Sequence, residues 1–354
     1  MRLAFFASSL VSSYWNGAAT YYRGIVRALH ARGHSVDFYE PDAFDRQQHR
    51  DLDDPDWARV VVYEPDRWTD ALDDARGADV VVKASGVGVL DAELEAGVLE
   101  VRGDATSVVF WDVDAAATLA RVEHDLDDPF RALIPRYDLV LTYGGGDPVV
   151  ERYRALGAAD CVPVYNALDP DTHHPVEPDP RFACDLALLA NRLPDREARV
   201  EEFYLRPARL LPPARFLLGG AGWEDTSLPL NVNYLGHIPV HAHNNVNCSA
   251  LAVLNVTRAD MAANGWSPPT RVFEAGGAGA CVVSDAWEGV GEFLEPGREV
   301  LVAESGEDVA ELLATLRRER AQAIGAAARE RLLREHTYAH RAEQLEDVLA
   351  GVRA

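Results

Sequence analysis

The densest set of residues able to do chemistry lies in one stretch, Asn264-Gly265-Trp266-Ser267-Pro268-Pro269-Thr270-Arg271-Val272-Phe273-Glu274-Ala275-Gly276-Gly277-Ala278-Gly279. Paired prolines are tolerated in a first helical turn, where their missing N–H groups have no intrahelical partner. A short helix therefore starts after a polar loop and ends in glycines. The amides of Thr270, Arg271 and Val272 can then face an anion, helped by the helix dipole and the Arg271 charge. Glu274, one turn on, can accept hydrogen bonds from vicinal sugar hydroxyls. A carboxylate beside a phosphate site suits a ribose, because two hydroxyls share one strong acceptor. An ordinary capped helix whose glycines permit close packing explains the same residues equally well.

Two further places carry candidate chemistry. Trp111-Asp112-Val113-Asp114 closes an apolar run, and strand ends are where catalytic or ligand-binding side chains collect in α/β sheets. Asp112 or Asp114 can bind hydroxyls or act as a base, and Asp114 can equally cap a following helix. Lys83, the only lysine in the chain, ends another apolar run and can line the same rim. His173-His174 and His241-Ala242-His243 lack companions at a recognised metal-ligand spacing and read as solvated loops. No metal site is expected, and no GxSxG, HExxH or Walker A sequence occurs.

Positioning these residues takes an alternation of short apolar runs and helices, the mark of parallel βαβ units. Strands are expected at Leu3–Ala7, Ser35–Tyr39, Arg59–Tyr63, Val80–Lys83, Thr106–Trp111 and Leu139–Thr142, with a helix over Ala18–Arg32 that Gly33 ends. The texture changes around Cys161–Pro175, and Pro175–Pro180 reads as a linker. Strands resume at Leu186–Ala190, Phe216–Gly219, Val232–Leu235, Ala252–Val256, Ala280–Ser284 and Val300–Val302. A helical tail, Ala321–Val352, breaks near His336–Tyr338. The expected fold class is α/β, with two doubly wound domains facing a central cleft.

Composition narrows the partners. The 354 residues exceed one typical core, and a net charge of −23 argues against nucleic acid and anionic membrane surfaces. An anionic ligand then needs local arginines to overcome the global field. No run approaches the roughly 20 apolar residues of a membrane helix. The apolar start at Met1–Ala7 is interrupted by Ser8, Ser9, Ser12, Ser13 and Asn16, so a first strand is expected there, not a signal peptide. Cys161, Cys184, Cys248 and Cys281 form no CxxC pair and suit a reducing, cytoplasmic setting.

The 264–279 block, followed by Cys281–Asp285, Gly289–Phe293 and Gly297–Val302, resembles the C-terminal donor-binding domain of GT-B glycosyltransferases, most closely the CgeB-like (spore maturation protein B-like) group. The resemblance implies two Rossmann-like domains: residues 1–165 with a crossing helix at 336–354 on the acceptor side, and 166–335 holding the donor. It implies that Ser267, Thr270, Arg271, Val272, Phe273 and Glu274 hold a nucleotide, Glu274 at the ribose. In related family-4 retaining enzymes a second glutamate stands eight positions earlier, which is Trp266 here.

Further along the chain the resemblance places Arg192 and Arg196, in Ala190-Asn191-Arg192-Leu193-Pro194-Asp195-Arg196-Glu197, against the donor diphosphate. These cations would stabilise the charge of a leaving nucleoside diphosphate. A surface helix start with an i,i+4 ionic face is the plainer reading of both. Gly219, Gly220 and His237 match loops near the base and diphosphate. Gly17, in Trp15-Asn16-Gly17, matches the glycine loop that faces the donor across the cleft. Asp112 and Asp114 look superficially like the DxD metal motif of the other major glycosyltransferase fold, but GT-B enzymes neutralise the diphosphate with cations and helix ends.

The expected activity is therefore transfer of a sugar, with retention, from a nucleoside diphosphate sugar to an unidentified saccharide, protein or small-molecule acceptor. UDP is favoured as the nucleotide, ahead of GDP or dTDP, and no separate cofactor is required. A sugar-nucleotide epimerase or a noncatalytic binding or coat-assembly protein on the same fold are the alternatives. An NAD-linked enzyme is disfavoured, because no GxGxxG follows the first strand.

Overall fold

Runs of Val, Leu, Ile and Phe long enough for one strand, and apolar at every position, are what a parallel sheet buried on both faces selects. A computed structural model, which describes residues 1–14 and 16–353, folds these runs into two such sheets. Contacts divide the chain into two compact units, Met1–Tyr165 with Tyr338–Ala354, and Asn166–Thr337.

The first unit holds β1 (Arg2–Phe6), β2 (Ser35–Pro41), β3 (Arg59–Tyr63), β4 (Val80–Ala84), β5 (Ser107–Asp112), β6 (Leu139–Thr142) and β7 (Cys161–Pro163). All pair in parallel, in the order β3-β2-β1-β4-β5-β6-β7. The order reverses beside β1, between β1 and β4, which is the switch point of a doubly wound sheet. Phe5 stacks on Phe38 at 6.2 Å and tilts against Trp111 at 5.7 Å, filling one face beneath the helix Ala19–Ala31. The last helix, Tyr338–Arg353, lies on that same helix. Gly24 makes the approach possible, since a β-carbon there would collide with the Tyr338 ring.

The second unit holds β8 (Leu186–Leu189), β9 (Phe216–Gly219), β10 (Val232–Tyr234), β11 (Ala252–Asn255), β12 (Val282–Asp285) and β13 (Leu301–Ala303). They too are parallel, ordered β10-β9-β8-β11-β12-β13, with the switch between β8 and β11. After β8 a helical run spans Pro194–Val200, a π-helical turn at Glu201–Leu205, and Arg206–Leu210. Pro207 has no amide to give to the preceding turn, which accounts for the widened turn just before it.

Several strand ends lie one or two residues from where the sequence places them, and two differences have a plain physical reason. The three-residue strand β7 went unrecognised as a strand; it lies at the sheet edge, pairs only with β6 and ends in Pro163, where the missing amide costs nothing. The strand expected at Ala280–Ser284 begins two residues later, because Ala280 N donates to Ala275 O at 3.0 Å and still belongs to the preceding helix end.

The helix Arg318–Glu335 packs on Thr270–Gly277, and its Gly325 lies against the Gly279–Ala280 backbone that follows. A β-carbon at Gly325 would strike the Gly279 carbonyl, backbone that cannot rotate away. Gly325→Ala is therefore expected to cost about 1–3 kcal/mol of stability. Gly351→Ala, with open space around it, should leave the thermal midpoint unchanged or slightly raised; scanning calorimetry of both checks the contrast.

Candidate functional site

The loops that leave the carboxyl ends of β8, β11 and β12 meet at the switch point of the second sheet. There they bring four arginines close together. Arg196 and Arg199 come from the helix Pro194–Val200 after β8, and Arg258 from the loop after β11. Arg271 stands in the first turn of Thr270–Gly277. Arg258 Nε lies 2.5 Å from Asp195 Oδ2, and Arg199 Nη2 lies 2.5 Å from Asp285 Oδ2. Arg271 Nη2 donates to Leu189 O at 3.0 Å, while its Nη1 is 3.1 Å from Glu274 Oε2 but off the line of a hydrogen bond.

Arg196 is the exception. Among the described residues no carboxylate lies within ion-pairing distance of it, and its Nε, shielded from solvent, has no hydrogen-bond partner. Burial pushes its pKa down; Arg258 and Arg271 add to that, against the pull of Asp195 and Asp285. Among the described residues four arginines thus face three carboxylates, and a half-buried cation with a shielded nitrogen and no counter-ion of its own is costly unless an anion completes the site.

The helix start at Thr270 supplies neutral donors beside this charge. Its N-cap, Pro269, makes no side-chain cap. The amides of Thr270 and Arg271 have no partner among the described residues, whereas Val272 N donates to Pro269 O at 3.1 Å. Val272 is therefore not a free donor as expected, and its side chain is fully buried. Phe273 is likewise core, edge-on to Phe293 at 6.0 Å, and Ser267 Oγ is committed to Gly265 O at 2.9 Å. These three shape the helix start from beneath.

Glu274 is 14% exposed, with His173 and His243 beside it, and the segments that carry these histidines hold further unpartnered polar atoms. His173 Nε2, 3.8 Å from Glu274 Oε1, has no hydrogen bond; nor have His243 Nδ1, Asn244 Oδ1 or either polar atom of the Asn247 side chain. Burial alone would raise the Glu274 pKa, but Arg271, His173 and His243 outweigh it, and the carboxylate is held below its usual range. Burial lowers the pKa of both histidines, that of His243 to about 4 with help from Arg271. A charged carboxylate beside neutral imidazoles is a set of acceptors and donors for hydroxyl groups. His173 is buried and His243 largely so, which corrects their reading as solvated loops; only His174 and His241 face solvent.

Other expected residues fall elsewhere. Arg192 is exposed and paired with Glu197, outside the arginine cluster, so the surface ionic reading holds for it. Gly219 and Gly220 are required by packing, because β-carbons there would meet Ile238 with Leu189, and the Ala190 carbonyl. His237 is exposed in the loop after β10. In the first unit Gly17 is exposed with open space around it, ahead of Ala19–Ala31, and Trp15 lies outside the described residues.

Asp112 is not available to a ligand. It is fully buried, accepting from Ser85 Oγ (2.7 Å), Thr118 Oγ1 (3.0 Å), Asp114 N (3.0 Å) and the Tyr153 hydroxyl. Burial raises its pKa against those bonds. Asp114 occupies the N-cap of Ala115–His124 without a side-chain cap bond. Lys83 is buried too, its Nζ 2.8 Å from Asp91 Oδ1 and 2.6 Å from Ala84 O.

Solved structures of the same architecture fix the fold. The chain is similar to sucrose-phosphate synthase of Thermosynechococcus elongatus over 99% of both chains, with a TM-score of 0.72 and 14% identity. It is similar to Anabaena HepE in complex with UDP and glucose over 99% of this chain and 100% of that one, with a TM-score of 0.69 and 13% identity. The E. coli trehalose-6-phosphate structure bound with UDP-2-fluoro glucose matches over 99% of both chains, at a TM-score of 0.70 and 11% identity.

The chain has the GT-B glycosyltransferase fold.

A sequence family described as glycosyl transferase-like matches residues 196–347, the part of this GT-B chain that contributes Arg196, Arg258, Arg271, Glu274 and Asp285. Curated protein sequences give no match.

The neutral state of His243 in the GT-B fold has a pH signature. Its folded pKa, about 4, lies below the ordinary 6.5, so between these values the unfolded chain binds a proton that the folded chain refuses. Stability is complete above that window and falls as pH falls through it, by on the order of 3 kcal/mol. Urea unfolding at about pH 7 and about pH 4.5 should show His243→Gln losing less stability than the wild type over this interval.

Proposed function

We propose that the chain transfers a sugar from a nucleoside diphosphate sugar to an acceptor, with the donor bound on the unit Asn166–Thr337. The observation that carries this reading is Arg196, a half-buried cation whose shielded Nε has no partner and which lacks a counter-ion among the described residues, set among arginines and free helix amides. A diphosphate supplies the missing negative charge, and as the glycosidic bond breaks the same donors stabilise the charge that develops on it. Glu274, one turn from those amides, takes the ribose hydroxyls, with His173 and His243 offering further polar atoms.

UDP is the nucleotide we favour, since HepE and the E. coli structure carry UDP or its sugar derivatives; GDP and dTDP are the next candidates. The unit Met1–Tyr165 with Tyr338–Ala354 is assigned the acceptor side, where Gly17 leaves room at the start of its first helix. Retention at the anomeric carbon follows the family-4 resemblance, and four unpaired cysteines suit a cytoplasmic enzyme.

Calorimetric titration tests the donor site. Wild-type protein is expected to bind UDP, and both Arg196→Ala and Glu274→Ala to weaken it about tenfold or more, each removing a charged hydrogen-bond partner. Uridine, lacking phosphates, should distinguish them, with its affinity reduced by Glu274→Ala and untouched by Arg196→Ala. Affinities unchanged in both variants would sink the assignment. Incubation of UDP-sugars with candidate acceptors should give a glycosylated product; an isomeric sugar nucleotide from donor alone would mark an epimerase instead.

A further inference from the structure

Asp285 ends β12 as a fully buried carboxylate, and its bonds reach across the sheet. Its Oδ2 accepts the Thr257 amide at 2.9 Å and the Arg199 guanidinium at 2.5 Å. Its Oδ1 accepts the Thr257 hydroxyl at 2.9 Å. Asn255 Nδ2 donates to the neighbouring Ser284 Oγ at 3.0 Å, and Trp287 Nε1 reaches the same hydroxyl at 3.2 Å. Thr257 is thus held at amide and hydroxyl by one carboxylate from a neighbouring strand.

The next residue along is Arg258. Its side chain is tied to Asp195, which adjoins Arg196, and its charge acts on Arg196 directly. A loop leaving a strand end is ordinarily the mobile part of such a site. Here the loop is anchored one residue before the arginine. Arg199, by contrast, is occupied as the counter-ion of Asp285.

Resting on the donor-site reading above, we infer that Asp285 is a positioning residue for the diphosphate. It fixes the Thr257 turn and so aims Arg258 beside Arg196, while Arg199 neutralises it and takes no phosphate. Asp285 touches no ligand; its effect travels through the Thr257 amide. Because the anchored residue is a phosphate-side cation, the nucleoside half of the ligand does not depend on it.

The test is a double-mutant cycle read by calorimetry with UDP and uridine. Asp285→Asn keeps one acceptor oxygen and loses the charge. It is expected to weaken UDP about tenfold, leave uridine within about twofold, and add less than about twofold in an Arg258→Ala background, as coupled residues do. Equal UDP affinity in Asp285→Asn and wild type, an equal loss for uridine, or additive losses with Arg258→Ala would each overturn the inference. If Asp285→Asn does not fold, Thr257→Val removes the hydroxyl arm alone. It should weaken UDP about two- to fivefold through one lost hydrogen bond, and no change there would count against the role equally. Failure of wild-type protein to bind UDP overturns the donor-site reading itself, whereas wild-type binding with no response to Asp285 overturns only the positioning role.

Discussion

The arrangement of the second unit depends on one electrostatic constraint: a half-buried guanidinium, Arg196, whose shielded Nε has no partner and which no carboxylate among the described residues pairs with. The surrounding carboxylates are spoken for. Asp195 goes to Arg258, Asp285 to Arg199 and Glu274 lies against Arg271. Each pairing fixes an arginine in place and leaves Arg196 as the surplus. In a chain of net charge −23 such a surplus attracts an anion only locally, and the half-buried setting makes this possible, since the field of the arginines is less screened there than in water. The topology explains where this happens. At the switch between β8 and β11 adjacent loops diverge, leaving a crevice that no crossover covers.

Around that charge the site divides into two kinds of chemistry. Toward Arg196, once Asp195 and Asp285 are taken up by Arg258 and Arg199, what remains are cations and the unpartnered amides of Thr270 and Arg271, which are donors. Toward Glu274 they are a carboxylate and neutral imidazoles, able to accept as well as donate. One helical turn separates the two, about 5 Å, the scale on which a phosphate and a pentose follow one another in a nucleotide. The short helix Thr270–Gly277 sets this spacing, and its glycine-rich end lets it lie close against Arg318–Glu335.

Much of this was legible in the sequence because parallel strands buried on both faces announce themselves as apolar runs. Arg59–Tyr63, Leu139–Thr142 and Phe216–Gly219 have the boundaries their residues indicate, whereas the short edge strand at Cys161–Pro163 has no such run. Arg271 and Glu274 could be singled out because a proline-opened helix start places them one turn apart. Arg258, Arg199 and Asp285 could not. Nearly all of the chain's 34 basic residues are arginine, so the type alone carries little information, and Asp285 matters through Thr257, 28 residues earlier. His173 and His243 looked like solvent-facing pairs with their neighbours; one member of each is turned inward, and sequence spacing does not say which. Asp112 misled for the opposite reason. Its strand-end position suits a ligand, but Ser85, Thr118 and Tyr153 from three other segments consume its oxygens.

The most direct measurement of the central claim is a crystal structure of the protein soaked with UDP. Diphosphate oxygens are expected within hydrogen-bonding distance of Arg196 and the Thr270 and Arg271 amides, with the ribose hydroxyls at Glu274. UDP bound with its phosphates away from Arg196, or Arg196 left without an anion in the complex, would contradict it.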